Sequence, residues 1–365
     1  MNSKKVLFTA TVVKTHINAF HLPFLKMFKD AGWEVHVAAK NDFINEPCVI
    51  PNCDKHYDID FDRFPFSRKN FYAYRKLKNV ILENQYDIVH CHTPVAGVLT
   101  RLAARYSKNT TVIYTAHGFH FFKGAPLINW LMYYPIERLF ANFTDKLITI
   151  NNEDYEVAKN WSLRKNGNVY LVNGVGIDVH KFKNINFDID LKKSELGVPK
   201  DYKVILSVGE LIKRKNHEII IRALNKIADK KIIYLICGRG TLQNDLQKLI
   251  ESLNLTNRVK LLGFRNDVAE LYKIVDLFVF PSLQEGLPVA LMEAMASGAI
   301  CIASDIRGNR DLLNNKMLCT DINNVQAWAD KINTALQKGE FETIEMDSYD
   351  INIIREKMRK IYGLE

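Results

Sequence analysis

Short β-branched runs alternate with amphipathic helical stretches along most of this chain, stop once, and start again. The first strand-like series is KVLFTATVV, EVHVAA, DIVHCH, TTVIYTA, KLITI and NVYLV. Between these runs lie NAFHLPFLKMFKDAG, RKNFYAYRKLKNVILENQ, PVAGVLTRLAARY, LINWLMYYPIERLFANF and NEDYEVAKNW, all with helical spacing. Such alternation predicts a parallel sheet with helices on both faces. From residue 173 the text NGVGIDVHKFKNINFDIDLKKSELGVPKD is polar and turn-rich, as a linker is. Alternation then resumes with KVILSVG, HEIIIRALNKIAD, KIIYLICG, LQNDLQKLIESLN, RVKLLG, DVAELYKIV, DLFVFP, VALMEAMAS and AICIAS. After about residue 323 only helical text remains. At 365 residues the chain is long for one core and fits two. The expected fold class is α/β, with two doubly wound Rossmann-like domains and a cleft between them. Residues 1–172 form the first domain, onto which a C-terminal helix over 348–365 packs back; residues 173–347 form the second. Ligands of such sheets bind beyond the carboxyl ends of the strands, so the informative residues should follow strands.

Composition narrows the functions. The chain is 47% hydrophobic and 25% charged, and no run of about 18 apolar residues occurs, so no transmembrane helix is expected. The opening MNSKKVLFTATVV reads as a first strand and not as a signal peptide, because Lys14 and His16 follow with no small-residue cleavage site. Cys48, Cys53, Cys91, Cys237, Cys301 and Cys319 form no CxxC pair, which predicts reduced thiols in a cytoplasmic protein. A net charge of +9 asks for an anionic partner. No RRM, KH or helix-turn-helix signature supports nucleic acid as that partner. No GxGxxG follows the first strand, which disfavours a dinucleotide dehydrogenase.

The stretch PSLQEGLPVALMEAMASG, residues 281 to 298, carries more chemistry. DLFVFPS reads as a buried strand and LQEGLP as the turn after it. Pro288 suits the first position of a helix that runs through VALMEAMAS to a C′ glycine, Gly298. The free amides of Gly286, Leu287, Val289 and Ala290 then cluster at the positive end of that helix, a site for a phosphate or diphosphate. Glu285 precedes the helix and Glu293 lies one to two turns inside it. Carboxylates do not bind phosphate, but they accept hydrogen bonds from hydroxyls. A diphosphate flanked by hydroxylated rings, which is a nucleotide sugar, fits this pattern: one glutamate takes the transferred sugar and the other the ribose.

At these residues the sequence resembles retaining glycosyltransferases of the GT-B fold, family 4. The segment EGLPVALMEAMASGAICIASDIRGNRDLL carries the resemblance, and VGELIKRKNHEIIIRAL, LLGFRNDVAELYKIVDLFVFPS and NGVGID extend it. It is closest to the bacterial enzymes that build surface and capsular polysaccharides. The resemblance implies that Lys215 faces the donor diphosphate, with Arg214 beside it; such cations stabilise a leaving phosphate. The family commonly has Arg where this chain has Glu210, so Arg214 is the expected substitute. Gly238 belongs to a glycine-containing loop lining the donor cleft, and Arg265 and Asn266 to the segment flanking the nucleotide base. His117, directly after a strand, matches the histidine that contacts the donor sugar, whereas His120 reads as structural. The family often has a glycine-rich loop after the first strand. Here no glycine occurs before residue 32, and His16 and His21 become candidates for binding the acceptor or the phosphate.

Metal use is not expected. Successive residues of a strand alternate faces, which splits His90, Cys91 and His92, and no carboxylate partner is evident. The D-x-D strings in DIDFD, residues 58 to 62, match a metal motif of other glycosyltransferases, but the resemblance implies that helix dipole and cations take the ion's place. Two stretches resemble interfacial segments: RFPFSRKNFYAYRKLKN, with Arg63, Arg68, Lys69, Arg75, Lys76 and Lys78, and PLINWLMYYPIERLF, presenting Trp130, Tyr133 and Tyr134. The expected activity is transfer of a hexose or N-acetylhexosamine from a UDP-sugar to a lipid-diphosphate-linked saccharide, by a peripheral protein at the inner face of the cell membrane. A nucleotide-sugar epimerase of related fold and a non-catalytic nucleotide binder are the rival readings.

Overall fold

A computed structural model describes residues 3–338 and 345–364 of the chain. The chain divides into two units, Met1–Val175 with Asn352–Glu365, and Gly176–Ile351. The first holds β1 (Lys5–Val12), β2 (Glu34–Lys40), β3 (Lys55–Asp58), β4 (Ile88–His92), β5 (Thr111–Ala116), β6 (Lys146–Thr149) and β7 (Asn168–Leu171). They form one parallel sheet in the order β3-β2-β1-β4-β5-β6-β7. The order reverses between β1 and β4, which face each other in the register Val6↔Ile88 to Thr9↔Cys91. The central strands are buried on both faces, which is why β1 and β4 read as near-continuous apolar runs. β3 was missing from the sequence pattern. Its residues KHYD carry no apolar run, because an edge strand is held by backbone pairing to β2 and its side chains stay half in water.

The helix Ile351–Tyr362 brings the end of the chain back to this first sheet. Ile354, Met358, Ile361, Tyr362 and Leu364 join the core of Val6, Phe8, Leu25 and Phe28. The Tyr362 hydroxyl bonds His90 Nδ1 at 2.8 Å, and Lys146 donates to the Ile361 carbonyl.

The second unit holds β8 (Lys203–Val208), β9 (Ile232–Cys237), β10 (Val259–Gly263), β11 (Leu277–Phe280), β12 (Cys301–Ser304) and β13 (Leu318–Cys319). They are parallel, in the order β10-β9-β8-β11-β12-β13, so β8 and β11 flank the switch. Trp328, fully buried, anchors a core that joins the Val325–Lys338 and His217–Lys226 helices to the sheet. The stretch expected to be irregular contains two short helices, Val179–Lys183 and Ile189–Glu195. Asp178 and Asp188 cap them, accepting from the Lys181 and Leu191 amides at 2.9 and 3.0 Å. Each cap satisfies an otherwise unpaired helix-start donor, which offsets the poor helix content of the text. No helix of the described residues is long and apolar enough to cross a membrane.

Candidate functional site

In the second unit, β11 runs into the loop that carries Glu285, and the helix Val289–Ala296 follows. Pro288 is its N-cap with φ −81° and ψ 116°, one position earlier than expected, and no side chain caps the helix start. The far end closes on Gly298 at φ +83°, whose amide reaches the Met295 carbonyl at 2.9 Å while Ala299 reaches Ala294 at 3.1 Å. Glu285 sits beside the turn that follows β8. Its Oε1 accepts from Arg214 Nη1 at 2.8 Å and from Lys215 Nζ at 2.7 Å. Arg214 also donates to the Gln284 carbonyl at 2.9 Å and its own carbonyl accepts from Leu283 N at 2.8 Å. Lys215 stands 4.8 Å over the Phe280 ring. The Glu285 and Lys215 side chains are only 10% and 13% exposed, so the pair is largely desolvated.

Two glycine contacts hold this arrangement. A Cβ on Gly308, at φ +80°, would lie 2.2 Å from the Gly286 carbonyl oxygen; a Cβ on Gly238 would lie 1.8 Å from that of Gly209. The first lets the loop after β12 press against the Glu285 loop, where Arg307 Nε donates to the Glu285 carbonyl at 3.2 Å. The second lets the loops after β8 and β9 touch. Gly238 is therefore required by loop packing, whatever else it touches. Glu293, inside the helix, accepts from the Tyr272 hydroxyl at 3.1 Å, and its burial pushes its pKa above the usual carboxylate value.

The remaining second-unit candidates stand apart. Glu210 and Asn266 are exposed. Arg265 is held by Asp267 (Nε to Oδ1, 2.8 Å) and Glu195 (3.0 Å), and Lys192 joins them through Asp267, Glu195 and Glu270. Arg265 keeps the Asp267 carboxyl well below its usual range, so its guanidinium is committed to structure. The sequence reading missed Tyr272, Arg307 and Gly308. The last two lie inside the quoted signature, and Tyr272 inside the LLGFRNDVAELYKIVDLFVFPS segment that extends it.

In the first unit, His16, His21, His92 and His117 converge at the carboxyl ends of β1, β4 and β5. His92 Nδ1 and His117 Nε2 are 3.2 Å apart, and the His21 and His92 rings stack at 3.8 Å. His90 and His92 share a face of β4, with rings 4.1 Å apart, while Cys91 faces the other way into a different core. Burial pushes His117 down to about 4 and His16 down to about 3, the latter helped by His117 and Arg63, and holds His21 and His92 well below the usual value. His21 is 1% exposed, so its expected contact with an acceptor is closed; His16 is the ring that reaches a pocket. That pocket, about 300 Å³, is lined by Thr11, Thr15, His16, Arg63, Thr93 and Tyr133 among others. Thr93 adopts φ +62° and ψ 148°, a strained geometry for a β-branched residue, directly before the Pro94–Ala104 helix. His16 lies in a π-turn, Val13–Ile17, whose Lys14 and Thr15 amides donate to Asp42 at 2.6 and 3.2 Å. Asp42 thus takes amides that a glycine-rich loop would offer to a phosphate.

The surface stretches are placed differently from expectation. Trp130, Tyr133 and Tyr134 turn inward, against Phe121 and His120. Glu137 fixes this orientation: buried Arg101 donates to it at 2.8 Å and the Tyr114 hydroxyl at 3.2 Å. The opposite stripe of the Leu127–Ala141 helix, with Leu127, Ile128, Leu131, Met132, Ile136 and Leu139, is exposed. In the other stretch Phe64, Phe66, Phe71 and Tyr72 are exposed beside Arg63, Arg68, Lys69 and Arg75.

Two family descriptions match the chain: Glycosyl transferase 4-like over residues 5–151 and Glycosyl transferases group 1 over residues 188–347. EpsD of Bacillus subtilis (strain 168), named as a glycosyltransferase, is 41% identical over 86% of this chain and 82% of its own length. An Escherichia coli UDP-Gal:alpha-D-GlcNAc-diphosphoundecaprenol alpha-1,3-galactosyltransferase is 35% identical over 66% of this chain and 63% of its own. Among solved structures, Anabaena HepE in complex with UDP and glucose superposes with a TM-score of 0.78 at 21% identity, covering 99% of both chains.

Proposed function

The chain belongs to the group 1 glycosyl transferases of GT-B fold, and from that premise we propose that it moves a hexose or N-acetylhexosamine from a UDP-sugar to a hydroxyl of a lipid-diphosphate-linked saccharide, with retention of configuration, in surface-polysaccharide synthesis. The observation that carries the reading is the meeting of Arg214 and Lys215 on Glu285 beside an uncapped helix start. Two cations and a helix N-terminus suit a diphosphate. An arriving diphosphate replaces Glu285 as the anionic partner of Lys215 and Arg214 and releases the carboxylate to accept a hydroxyl. The cations then stabilise the charge that grows on the leaving nucleoside diphosphate, with no divalent ion required at that point. Glu293, half-buried and bonded to Tyr272, takes the second hydroxylated ring. The leaving phosphate helps to deprotonate the acceptor on the same face. The named substrates of the E. coli relative support a UDP-hexose and a diphospholipid acceptor.

The acceptor is assigned to the first unit. Its pocket carries the cation Arg63 and the hydroxyls of Thr11, Thr15 and Thr93, and the helix that begins at Pro94 adds its positive end. Arg63 and Pro65 line it, so the exposed aromatic and basic stretch of Phe64, Phe66 and Arg68 adjoins it, and Tyr133 lines it from the inward face of its helix. A lipid-borne acceptor would keep its chain in an anionic membrane while its head enters the pocket.

The test incubates the purified protein with labelled UDP-hexoses and UDP-N-acetylhexosamines, with and without a polyprenyl-diphosphate-linked sugar. Acceptor-dependent UDP release and an α-linked product, seen by NMR, are expected. Conversion of the sugar nucleotide without acceptor would replace this reading with the epimerase.

A further inference from the structure

We propose that His16, His21, His92 and His117 form a binding site for a late first-row divalent metal ion of the zinc class. One ring nitrogen of each lies within 4.8 Å of the other three. Separate elements deliver them: the turn after β1 brings His16 and His21, β4 ends on His92, and His117 follows β5. These strands are neighbours in the order β1-β4-β5, so their carboxyl ends converge. A π-turn, rare in general and concentrated at functional sites, shapes the His16 segment.

Two observations point to an ion and not merely to packing. The first is unpartnered polarity. His21 is 1% exposed, and neither of its ring nitrogens has a hydrogen-bond partner; Nε2 of His16 has none either. A neutral imidazole offers one N–H and one lone pair, and each left unpaired in the interior costs about 1–3 kcal/mol. The second is convergence: one nitrogen from each of four rings falls within 4.8 Å, and one pair, His92 Nδ1 and His117 Nε2, shares a hydrogen bond at 3.2 Å, so the other rings close inward to the roughly 3.3–3.4 Å that a tetrahedral ion holding nitrogens at about 2.0–2.1 Å sets.

The donor set decides the class of ion. Four imidazoles and no carboxylate suit zinc, copper, nickel or iron, not magnesium or calcium. His16 and His117 are only partly buried, and His16 lines the pocket, which gives an ion a way in. Neutral ligands leave the ion's double charge uncancelled, so a bound ion joins Arg63 in attracting an anionic group to that pocket. With Nε2 of His117 on the ion, its Nδ1 remains a donor. All four rings belong to the first unit, whereas the diphosphate chemistry is assigned to residues of the second, and metal content and transfer are read independently.

The full chain is loaded with zinc, desalted and assayed for metal, and the bound zinc is measured by X-ray absorption. The expected result is about one zinc per chain, with a nitrogen-only shell and imidazole scattering, and a Tm that zinc raises and a chelator returns. His21→Leu with His92→Leu should abolish the bound zinc. Because that variant risks misfolding, His16→Ala, at a partly exposed ring, gives the second test. Its zinc affinity should fall at least tenfold, the loss that even an outer-shell partner typically brings. Zinc well below stoichiometry, a shell containing sulfur, or affinity unchanged in His16→Ala would overturn the proposal.

Discussion

Lys215 and Glu285 illustrate how one residue can serve fold and chemistry together. They are largely desolvated, so deleting Glu285 leaves Lys215 uncompensated at a cost of about 3 kcal/mol, whereas deleting Lys215 costs less because Arg214 still pairs with Glu285. Lys215→Ala is expected to lower the Tm and to cut turnover at least tenfold, about 1.4 kcal/mol of transition-state stabilisation. Initial rates at saturating sugar nucleotide check this, and near-normal rates would remove the residue from the site. Glu293 behaves oppositely in stability. Burial raises its pKa, against the smaller opposing effect of the Tyr272 hydroxyl. The folded protein therefore holds the proton more tightly than the unfolded chain. Stability is lost as pH rises from the ordinary glutamate value of about 4.3 through the raised folded value. Glu293→Gln removes that loss. Its Tm should equal or exceed wild type at about pH 7 and approach wild type below about pH 4, while transfer falls at least tenfold. Thermal melts across pH, beside rate assays, separate the two effects; a Gln variant less stable than wild type at neutral pH would contradict the account.

At the scale of elements, loops meet through glycines and helices choose faces through buried charge. Gly32 and Gly308 both have positive φ, +78° and +80°, but a Cβ on Gly32 would meet nothing within 4 Å. Alanine at Gly32 should cost only the left-handed strain, about 1–2 kcal/mol, and leave the donor KM alone. Gly308→Ala adds a collision with the Gly286 carbonyl, so a larger fall in Tm and a raised donor KM are expected. Equal KM values for the two variants would show that the loop contact does not shape the donor site. The Leu127–Ala141 helix exposes its apolar stripe because Glu137 must face Arg101. Leu127→Glu with Leu131→Glu should abolish co-sedimentation with anionic lipid vesicles and leave the rate on a water-soluble acceptor unchanged. Retained binding would place the membrane contact elsewhere.

Across the whole molecule, the last helix belongs to the core of the first unit although the second unit separates them in sequence. Truncation after Ile351 would remove Ile354, Met358, Ile361 and Tyr362, each worth about 2 kcal/mol of burial. That chain should aggregate or unfold, whereas Tyr362→Phe, which loses the bond to His90, should cost only about 1 kcal/mol by urea titration. The sequence by itself determined the two α/β halves, their parallel strands and the strand–turn–helix around Glu285. Burial on both faces of a sheet and the turn chemistry of glycine and proline leave marks within a few neighbouring residues. Only the tertiary structure decided that Arg214 and Lys215 meet Glu285, that Tyr272 reaches Glu293, that Trp130 turns inward, and that four histidines from separate elements converge. Apart from the Trp130 contact with Phe121, those contacts join separate elements up to about 100 positions apart, and their energies depend on distances and desolvation that no local pattern encodes.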